Sequence, residues 1–203
     1  MGKMGDSTGL LRVLCLHGYR QSADTFRNKL GALRKMLKKQ VEFVFVTAPH
    51  AVPVAEGQED DTQQFGWWFC TEDRTFNART PCKTSVGLEE SWAMLSRVFE
   101  EQGPFHGVLG FSQGAALAAM LAAKAQADPV FQFEFIILVA GFKSLCEAHA
   151  EFYTPPQLPV PSLHVYGSTD QVIHPDLSRS LAEGFASPEV LEHPGGHFVP
   201  ATS

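Results

Sequence analysis

The sequence predicts an α/β fold in which a mostly parallel central sheet is covered by helices on both faces. Short, almost continuous apolar runs, such as those at 10–16 and 135–139, are typical of strands buried on both faces of a parallel sheet. Segments with apolar residues at helical spacing separate these runs. Strands that alternate with helices form βαβ units, and such units place the strands parallel in one sheet.

The first half of the chain contains two predicted strands and two predicted helices. A strand at 10–16 ends at the turn His17-Gly18-Tyr19, and a helix from about 24 to 37 follows, with Ser22 as its N-cap. The second strand is at 41–46. Helical spacing returns from 85 to about 101.

Between these elements, residues 50–84 are predicted to form an irregular, lid-like insertion. It contains the acidic stretch 59–61 and the aromatic run 65–69. A loop of this length is usually functional or disordered, and adjacent tryptophans argue against disorder. The aromatic run forms either a lid or acyl-pocket wall, or a cluster that packs the loop onto the body; the sequence leaves both open.

The second half continues the same alternation of strands and helices. A strand at 105–109 leads into an Ala-rich helix from 115, and further strands are predicted at 135–139, 162–166 and 189–192. A helix from about 175 to 184 precedes the last strand. There is no internal repeat, so we expect one domain over residues 1–203.

Composition and charge exclude several classes of function. The net charge of −6 comes without a run of basic residues, since the short cluster at 34–39 suits the end of a helix, and nucleic-acid binding is not expected. No apolar stretch reaches the roughly 18 residues that a membrane span needs, so we expect no stable membrane insertion. The four cysteines have no metal-ligand spacing, and we interpret them as reduced thiols in a protein of the cytoplasm or nucleus.

The pattern Gly110-x-Ser112-x-Gly114 lies between a predicted strand and a predicted helix. In this context it predicts a nucleophilic serine on a sharp strand-to-helix turn. The flanking glycines allow neighbouring backbone to approach without a Cβ clash. A plain Ser/Gly-rich loop is the alternative interpretation.

Two further residues follow predicted strands and complete a hydrolytic site with Ser112. Asp170 follows the strand at 162–166, and His197 lies in a Pro-Gly-Gly-His loop after the last strand. The order serine, acid, histidine is that of the α/β-hydrolase fold. We therefore predict Ser112 as nucleophile, His197 as base and Asp170 as the acid that orients His197. Taken alone, Asp170 is instead typical of a cap on the following helix.

An oxyanion hole is expected beside the predicted nucleophile. In this fold one donor is the backbone N–H of the residue after the nucleophile, here Gln113, and the second comes from the loop after an early strand. Tyr19 occupies that place, although His17-Gly18 also fits an ordinary turn.

Metal and cofactor sites are not predicted. His193 and His197 are four residues apart, but the Pro-Gly-Gly between them forbids a helix that would place both on one face. No phosphate-binding glycine motif is present.

The combination of motifs resembles the FSH family of serine hydrolases over about residues 10–200. The segments that carry the resemblance are 11–22, 66–69, 87–91, 110–116, 135–142 and 195–198. The resemblance implies an α/β-hydrolase with Ser112, Asp170 and His197 as triad, carboxylesterase activity, no cofactor and a cytoplasmic or nuclear location. It also implies a final helix after the histidine loop. Either the chain ending at Ser203 is truncated or this form lacks that helix, and in both cases we expect weaker support for His197.

We therefore expect a carboxylesterase that acts on small-molecule esters with medium to long alkyl or acyl chains. Apolar residues that could line an acyl channel, or that could simply be core, are Trp67, Trp68, Phe69 and Phe142. One alternative is an acyl thioesterase with the same triad, since fungal relatives release polyketides from thioesters. Another is a binding protein that keeps the fold without turnover. The sequence gives no oligomeric state.

Overall fold

The central feature of the computed structural model, which describes residues 9–53, 63–154 and 156–200, is a six-stranded parallel sheet. The strands of the protein are β1 (Leu11–Leu16), β2 (Val41–Val46), β3 (His50–Ala51), β4 (Phe65–Gly66), β5 (Gly107–Phe111), β6 (Phe135–Val139), β7 (Ser162–Gly167) and β8 (Pro188–His193). The sheet has the order β2-β1-β5-β6-β7-β8, and β3 and β4 form a separate antiparallel pair. The helices are α1 (Ala23–Lys29), α2 (Gly31–Leu37), α3 (Leu88–Gln102), α4 (Gln113–Lys124) and α5 (Pro175–Ala182), with a 3₁₀ helix at Glu147–Tyr153.

Helices lie on both faces of the sheet, as the sequence predicts. In the sheet, β2 lies on one side of β1, whereas β6 lies on the opposite side of β5, so the two crossovers run in opposite directions across the sheet. Because parallel crossovers are right-handed, α1 and α2 lie on one face, and α3, α4 and α5 lie on the other. The direction reverses between β1 and β5, and such a switch point opens a crevice at the carboxyl ends of the two strands.

Helix α4 packs closely against the middle of the sheet. All of its residues from Gln113 to Ala122 are buried, and most of them are alanine or glycine. These small side chains allow the helix to approach β5 and β6, which are its main neighbours in the sheet. The helix therefore fixes the turn at its N-terminus against the core.

The opposite face is only partly covered by α1 and α2. An apolar groove of about 330 Å³ crosses it, lined by Leu33 and Leu37 of α2 and by strand residues such as Val13, Leu109 and Ile137. Within the described ranges, no helix combines the length and the apolar character that crossing a membrane requires.

Several boundaries differ from the sequence prediction. The helix expected at 24–37 is divided into α1 and α2, because Leu30 turns into the core, where it is 1% exposed, and Gly31 is a poor helix former. Ser22 is confirmed as N-cap, since its Oγ accepts a hydrogen bond from Thr25 N–H at 3.2 Å. The 3₁₀ helix was not predicted, because such short helices lack the 3.6-residue apolar period. Within the predicted insertion, residues 54–62, with the acidic stretch, lie outside the described residues.

Candidate active site

Ser112 occupies the sharp turn between β5 and α4. Its backbone angles, φ 53° and ψ −115°, are strained for a residue with a side chain. The turn is held by a hydrogen bond from Ser112 N–H to the Val139 carbonyl at 2.9 Å, and the Ser112 carbonyl accepts from the first turn of α4. This arrangement is the strand-to-helix turn that the motif predicts.

The two glycines of the motif are required by close backbone contacts. A Cβ atom on Gly110 would overlap the Gly114 carbonyl, and a Cβ atom on Gly114 would overlap the carbonyls of Leu16 and His17. The start of α4 therefore lies directly against the end of β1. This contact brings the loop after β1 next to Ser112.

Asp170 and His197 form a hydrogen-bonded pair. His197 Nδ1 lies 2.7 Å from Asp170 Oδ2, and the Asp170 carboxylate is fully buried while the His197 side chain is 20% exposed. The other carboxylate oxygen, Oδ1, accepts from Val172 N–H at 2.8 Å and from Ile173 N–H at 2.9 Å. The alternative role of Asp170 as a helix cap is wrong, because α5 has His174 as its N-cap.

The loop that carries His197 packs on the loop that carries Asp170. Ser168 N–H donates to the His193 carbonyl at 2.8 Å, and Thr169 N–H donates to the Gly195 carbonyl at 3.1 Å. Gly167 permits this contact, since a Cβ atom there would overlap the Gly195 carbonyl. The two loops therefore position the pair jointly.

Ser112 and His197 line the same cleft, which has a volume of about 300 Å³. The loop after β1 and the segment 76–79 supply other parts of its wall. Its lining residues are Gly18, Tyr19, Gln21, Lys29, Phe76, Asn77, Ala78, Arg79, Phe111, Ser112, Val172, Ile173 and His197. Among the described residues, no hydrogen bond joins Ser112 Oγ to His197. Catalytic hydrogen bonds are often long in enzymes without substrate and shorten when the substrate binds.

The predicted oxyanion donors are Tyr19, which lines the cleft together with Ser112, and Gln113, the residue after the serine. Tyr19 N–H donates to no described residue, and Gln113 is the first residue of α4, so its N–H lacks an intrahelical partner. Gly18 lies against the turn, since a Cβ atom there would be 3.0 Å from the Phe111 ring and 3.4 Å from Ser112 Cβ. The N–H of Tyr19 thus has no partner among the described residues, and the N–H of Gln113 has none within its helix.

His17 holds the loop after β1 in place. Its Nε2 accepts from Ala48 N–H at 2.9 Å, and its Nδ1 lies 2.7 Å from the Gly18 carbonyl, to which it donates. Burial lowers the pKa of His17 to about 4, so the ring is neutral near neutral pH. The sequence placed His17 in this turn without indicating its two contacts.

The aromatic residues expected on the channel wall are buried behind the cleft instead. Trp67, Trp68, Phe69 and Phe142 are at most 1% exposed, and none of them lines the cleft with Ser112. Trp67 Nε1–H donates to the His17 carbonyl at 2.8 Å. The aromatic run therefore packs the insertion onto the body of the protein, which is the second of the two interpretations.

The Gln113 side chain joins this aromatic run to α4, a role that the sequence did not indicate. Gln113 Oε1 accepts from Trp67 N–H at 3.0 Å, and Gln113 Nε2 donates to the Trp68 carbonyl at 2.8 Å. The side chain is completely buried. It thus connects the residue after the serine to a segment that also contacts the loop after β1.

The titratable groups elsewhere do not form a metal centre in the described part of the chain. No group of three or more His, Cys, Asp or Glu side chains is placed there to hold a metal ion. The four cysteines are all free thiols.

Solved structures with the same fold include several hydrolases. Acyl-protein thioesterase 2 of Zea mays superposes with a TM-score of 0.64 at 16% identity, covering 98% of this chain and 90% of the other. The Bacillus cereus carboxylesterase superposes with a TM-score of 0.62 at 15% identity, covering 98% and 85%. These similarities confirm the predicted α/β-hydrolase fold.

Sequence comparisons identify the family. Esterase OVCA2 of Danio rerio is 50% identical over 208 residues, covering 95% of this chain and 92% of the relative. Esterase AGAP003155 of Anopheles gambiae is 46% identical, covering 94% and 72%, and esterase OVCA2 of Homo sapiens is 44% identical, covering 95% and 91%. The family model described as Serine hydrolase (FSH1) matches residues 7–203. The chain is therefore an enzyme and belongs to the FSH1 family of serine hydrolases.

Proposed function

We propose that the chain is a carboxylesterase that hydrolyses carboxylic esters through an acyl-enzyme formed on Ser112. The observation that carries the proposal is the 2.7 Å contact between His197 Nδ1 and Asp170 Oδ2, with His197 in the same cleft as the strained Ser112. The three relatives described above are each named an esterase, which supports an ester as the substrate.

In the first half of the proposed reaction, Ser112 Oγ attacks the carbonyl carbon of the ester. Serine is a weak nucleophile at neutral pH, so His197 Nε2 accepts its proton during the attack. Asp170 accepts the hydrogen bond from His197 Nδ1–H, which fixes the tautomer and stabilises the imidazolium that forms. Because Asp170 Oδ1 is already bound by two backbone N–H groups, the carboxylate is held in a fixed orientation.

The negative charge on the former carbonyl oxygen is then stabilised by Tyr19 N–H and Gln113 N–H. Loss of one such donor typically lowers kcat by about 10²–10³-fold. The ester C–O bond breaks, and the leaving alcohol takes the proton from His197. A water molecule then gives a proton to His197 and attacks the carbonyl carbon of the acyl-enzyme. The bond between this carbon and Ser112 Oγ breaks, Ser112 Oγ takes the proton from His197, and the carboxylic acid is released.

The proposal extends to esters with medium to long alkyl or acyl chains. Trp67, Trp68, Phe69 and Phe142 do not line the cleft, so in this proposal the chain of the substrate contacts the apolar part of the cleft wall instead. That part includes Phe76, Ala78, Phe111, Val172 and Ile173. Burial of apolar substrate atoms against these side chains favours binding by about 0.8 kcal/mol per CH₂.

The proposal is tested by labelling and by turnover. A fluorophosphonate probe should label the wild-type protein, and Ser112→Ala should abolish labelling and lower kcat on p-nitrophenyl esters by at least about 10⁴-fold. Ser187→Ala, an exposed serine outside the cleft, is the control and should behave as wild type. A correctly folded wild-type protein that is neither labelled nor active would contradict the proposal.

Two further series define the substrate. Esters of increasing acyl length should show rising kcat/KM up to the length that fills the cleft. Matched acyl thioesters test the thioesterase alternative, since the same triad and oxyanion donors serve both reactions. A higher kcat/KM on thioesters would replace carboxylesterase by thioesterase while leaving the proposed triad intact.

A further inference from the structure

The cleft beside Ser112 carries two positive side chains and no negative one among its described lining residues. Lys29, from the last turn of α1, and Arg79, from the loop opposite, both contribute to the wall. Asp170 does not line the cleft, because it is buried behind His197 and paired with it. This local positive charge contrasts with the net charge of −6 for the whole chain.

Neither cation has a counterion in the described part of the chain, although arginines elsewhere do. Arg12 pairs with Glu42 at 3.0 Å, and Arg179 pairs with Asp176 at 2.8 Å and with Glu192 at 2.9 Å. Within residues 9–53, 63–154 and 156–200, no comparable ion pair involves Lys29 or Arg79. Unpaired charges of one sign that line a concave site raise the local concentration of ligands of the opposite sign.

The rest of the wall divides into an apolar and a polar part. Phe76, Phe111, Val172 and Ile173 are apolar, whereas Gln21 and Asn77 offer side-chain amides. A substrate that fits this wall has an apolar part next to the reacting carbonyl and a negatively charged part that reaches the cations. A neutral ester uses only the first of these features.

We infer that the cleft selects esters that carry an anionic group, a carboxylate or a phosphate, in addition to the ester carbonyl. The inference rests on the proposed function, because it assigns a substrate class to the same site. The anion belongs either to the acyl chain or to the leaving alcohol, and Lys29 and Arg79 bind it in both cases. Interactions between exposed charges of this kind are weakened by salt.

The experiment compares neutral and anionic substrates of equal length. For the acyl side, the pair is p-nitrophenyl hexanoate and the p-nitrophenyl monoester of adipic acid. For the alcohol side, the pair is butyl hexanoate and the hexanoyl ester of 4-hydroxybutyrate. The readout is kcat/KM for the anionic substrate divided by kcat/KM for the neutral one. For at least one pair, we expect this ratio to exceed the ratio of the rate constants with which the same two esters are hydrolysed by hydroxide without enzyme.

Removal of the cations should lower this ratio. Lys29→Gln and Arg79→Gln should each lower it by about two- to five-fold, the range for one exposed ion pair. Lys35→Gln and Arg74→Gln remove exposed cations that do not line the cleft, and both should leave the ratio unchanged. Added salt should lower the ratio for wild type and have less effect on the double variant.

The outcomes separate the inference from the proposed function. If Ser112→Ala retains turnover of the neutral esters, the proposed function fails. If turnover depends on Ser112, but Lys29→Gln and Arg79→Gln change the ratio no more than the two control variants, the inference is overturned and the proposed function stands. The pair of substrates that responds to the variants identifies which side of the ester carries the anion.

Discussion

At the scale of single residues, Asp170 combines two tasks in one carboxylate. Oδ1 is occupied by the backbone N–H groups of Val172 and Ile173, and Oδ2 faces His197. An asparagine can keep the first contact through its amide oxygen, but its NH₂ group then faces His197 Nδ1 and disfavours the tautomer that donates from Nδ1. The two tasks can therefore be separated by one substitution.

Asp170→Asn should lower kcat by about 10³–10⁴-fold with little change in the melting temperature. Steady-state kinetics and thermal unfolding of the same preparation check this prediction. Asp176→Asn is the control, because Asp176 is exposed and outside the cleft, and it should keep wild-type kcat. A large loss of stability in Asp170→Asn with normal kcat would show that the carboxylate is structural only.

Gln113→Ala should destabilise the protein, because it leaves Trp67 N–H and the Trp68 carbonyl buried without partners. Each such group costs about 1–3 kcal/mol. Chemical denaturation measures the loss. Gln126→Ala, near the other end of α4 and exposed, is the matched control and should change stability by less than about 0.5 kcal/mol. Equal stability of the two variants would contradict the role assigned to the Gln113 side chain.

The sequence revealed some of these residues and not others for a physical reason. Ser112 is marked by its glycines, and Asp170 and His197 by their places after predicted strands. The Gln113 side-chain contacts join residues 46 and 45 positions apart, and no local pattern records them. The burial of Trp67 likewise depends on packing between distant segments, so the sequence left open whether this residue lies on the cleft wall or in the core.

At the scale of elements, the contact between the start of α4 and the end of β1 determines the shape of the site. Gly114 touches the carbonyls of Leu16 and His17, and His17 in turn holds the loop of Tyr19. Any side chain at this contact pushes the two predicted oxyanion donors apart. The helix and the strand therefore act as one unit.

Gly114→Ala should destabilise the protein by about 1–3 kcal/mol through overpacking and should lower kcat as well. Gly31→Ala is the matched comparison, because a Cβ atom at this helical position meets no atom within 4 Å. It should stabilise the protein by roughly 0.5 kcal/mol and leave kcat unchanged. Denaturant unfolding and turnover of both variants test the pair. A stabilising effect of Gly114→Ala would contradict the close contact.

The bounds of helices and strands could be predicted from the sequence where a local pattern alone determines them. The apolar runs of β2 and β6 are bounded by polar or turn residues, and both strands have the predicted bounds. The division between α1 and α2 depends on Leu30 entering the core, which periodicity alone does not indicate. The strand before Ser112 was predicted at 105–109, whereas β5 continues to Phe111, because Gly110 and Phe111 still pair with Leu138 and Val139 of β6.

At the scale of the whole molecule, three histidines that are almost completely buried are distributed through the fold. His17 directly follows β1, His149 lies in the 3₁₀ helix against Trp68, and His164 lies within β7. Each is at most 1% exposed, and burial lowers the pKa of each to about 4 from an ordinary value of 6.5. The native protein therefore keeps all three neutral over a range in which the unfolded chain protonates them.

Global stability should accordingly fall as the pH is lowered from 6.5 towards 4. In this window the unfolded chain binds more protons than the native protein, so the free energy of unfolding rises with pH, by up to about 1.4 kcal/mol per pH unit for each histidine. Melting temperatures measured between pH 7.5 and 4.5 test this slope. His149→Phe, which keeps an aromatic ring beside Trp68, should reduce the slope. A melting temperature that is constant down to pH 5 would contradict the prediction, because it would require these histidines to be protonated in the native core.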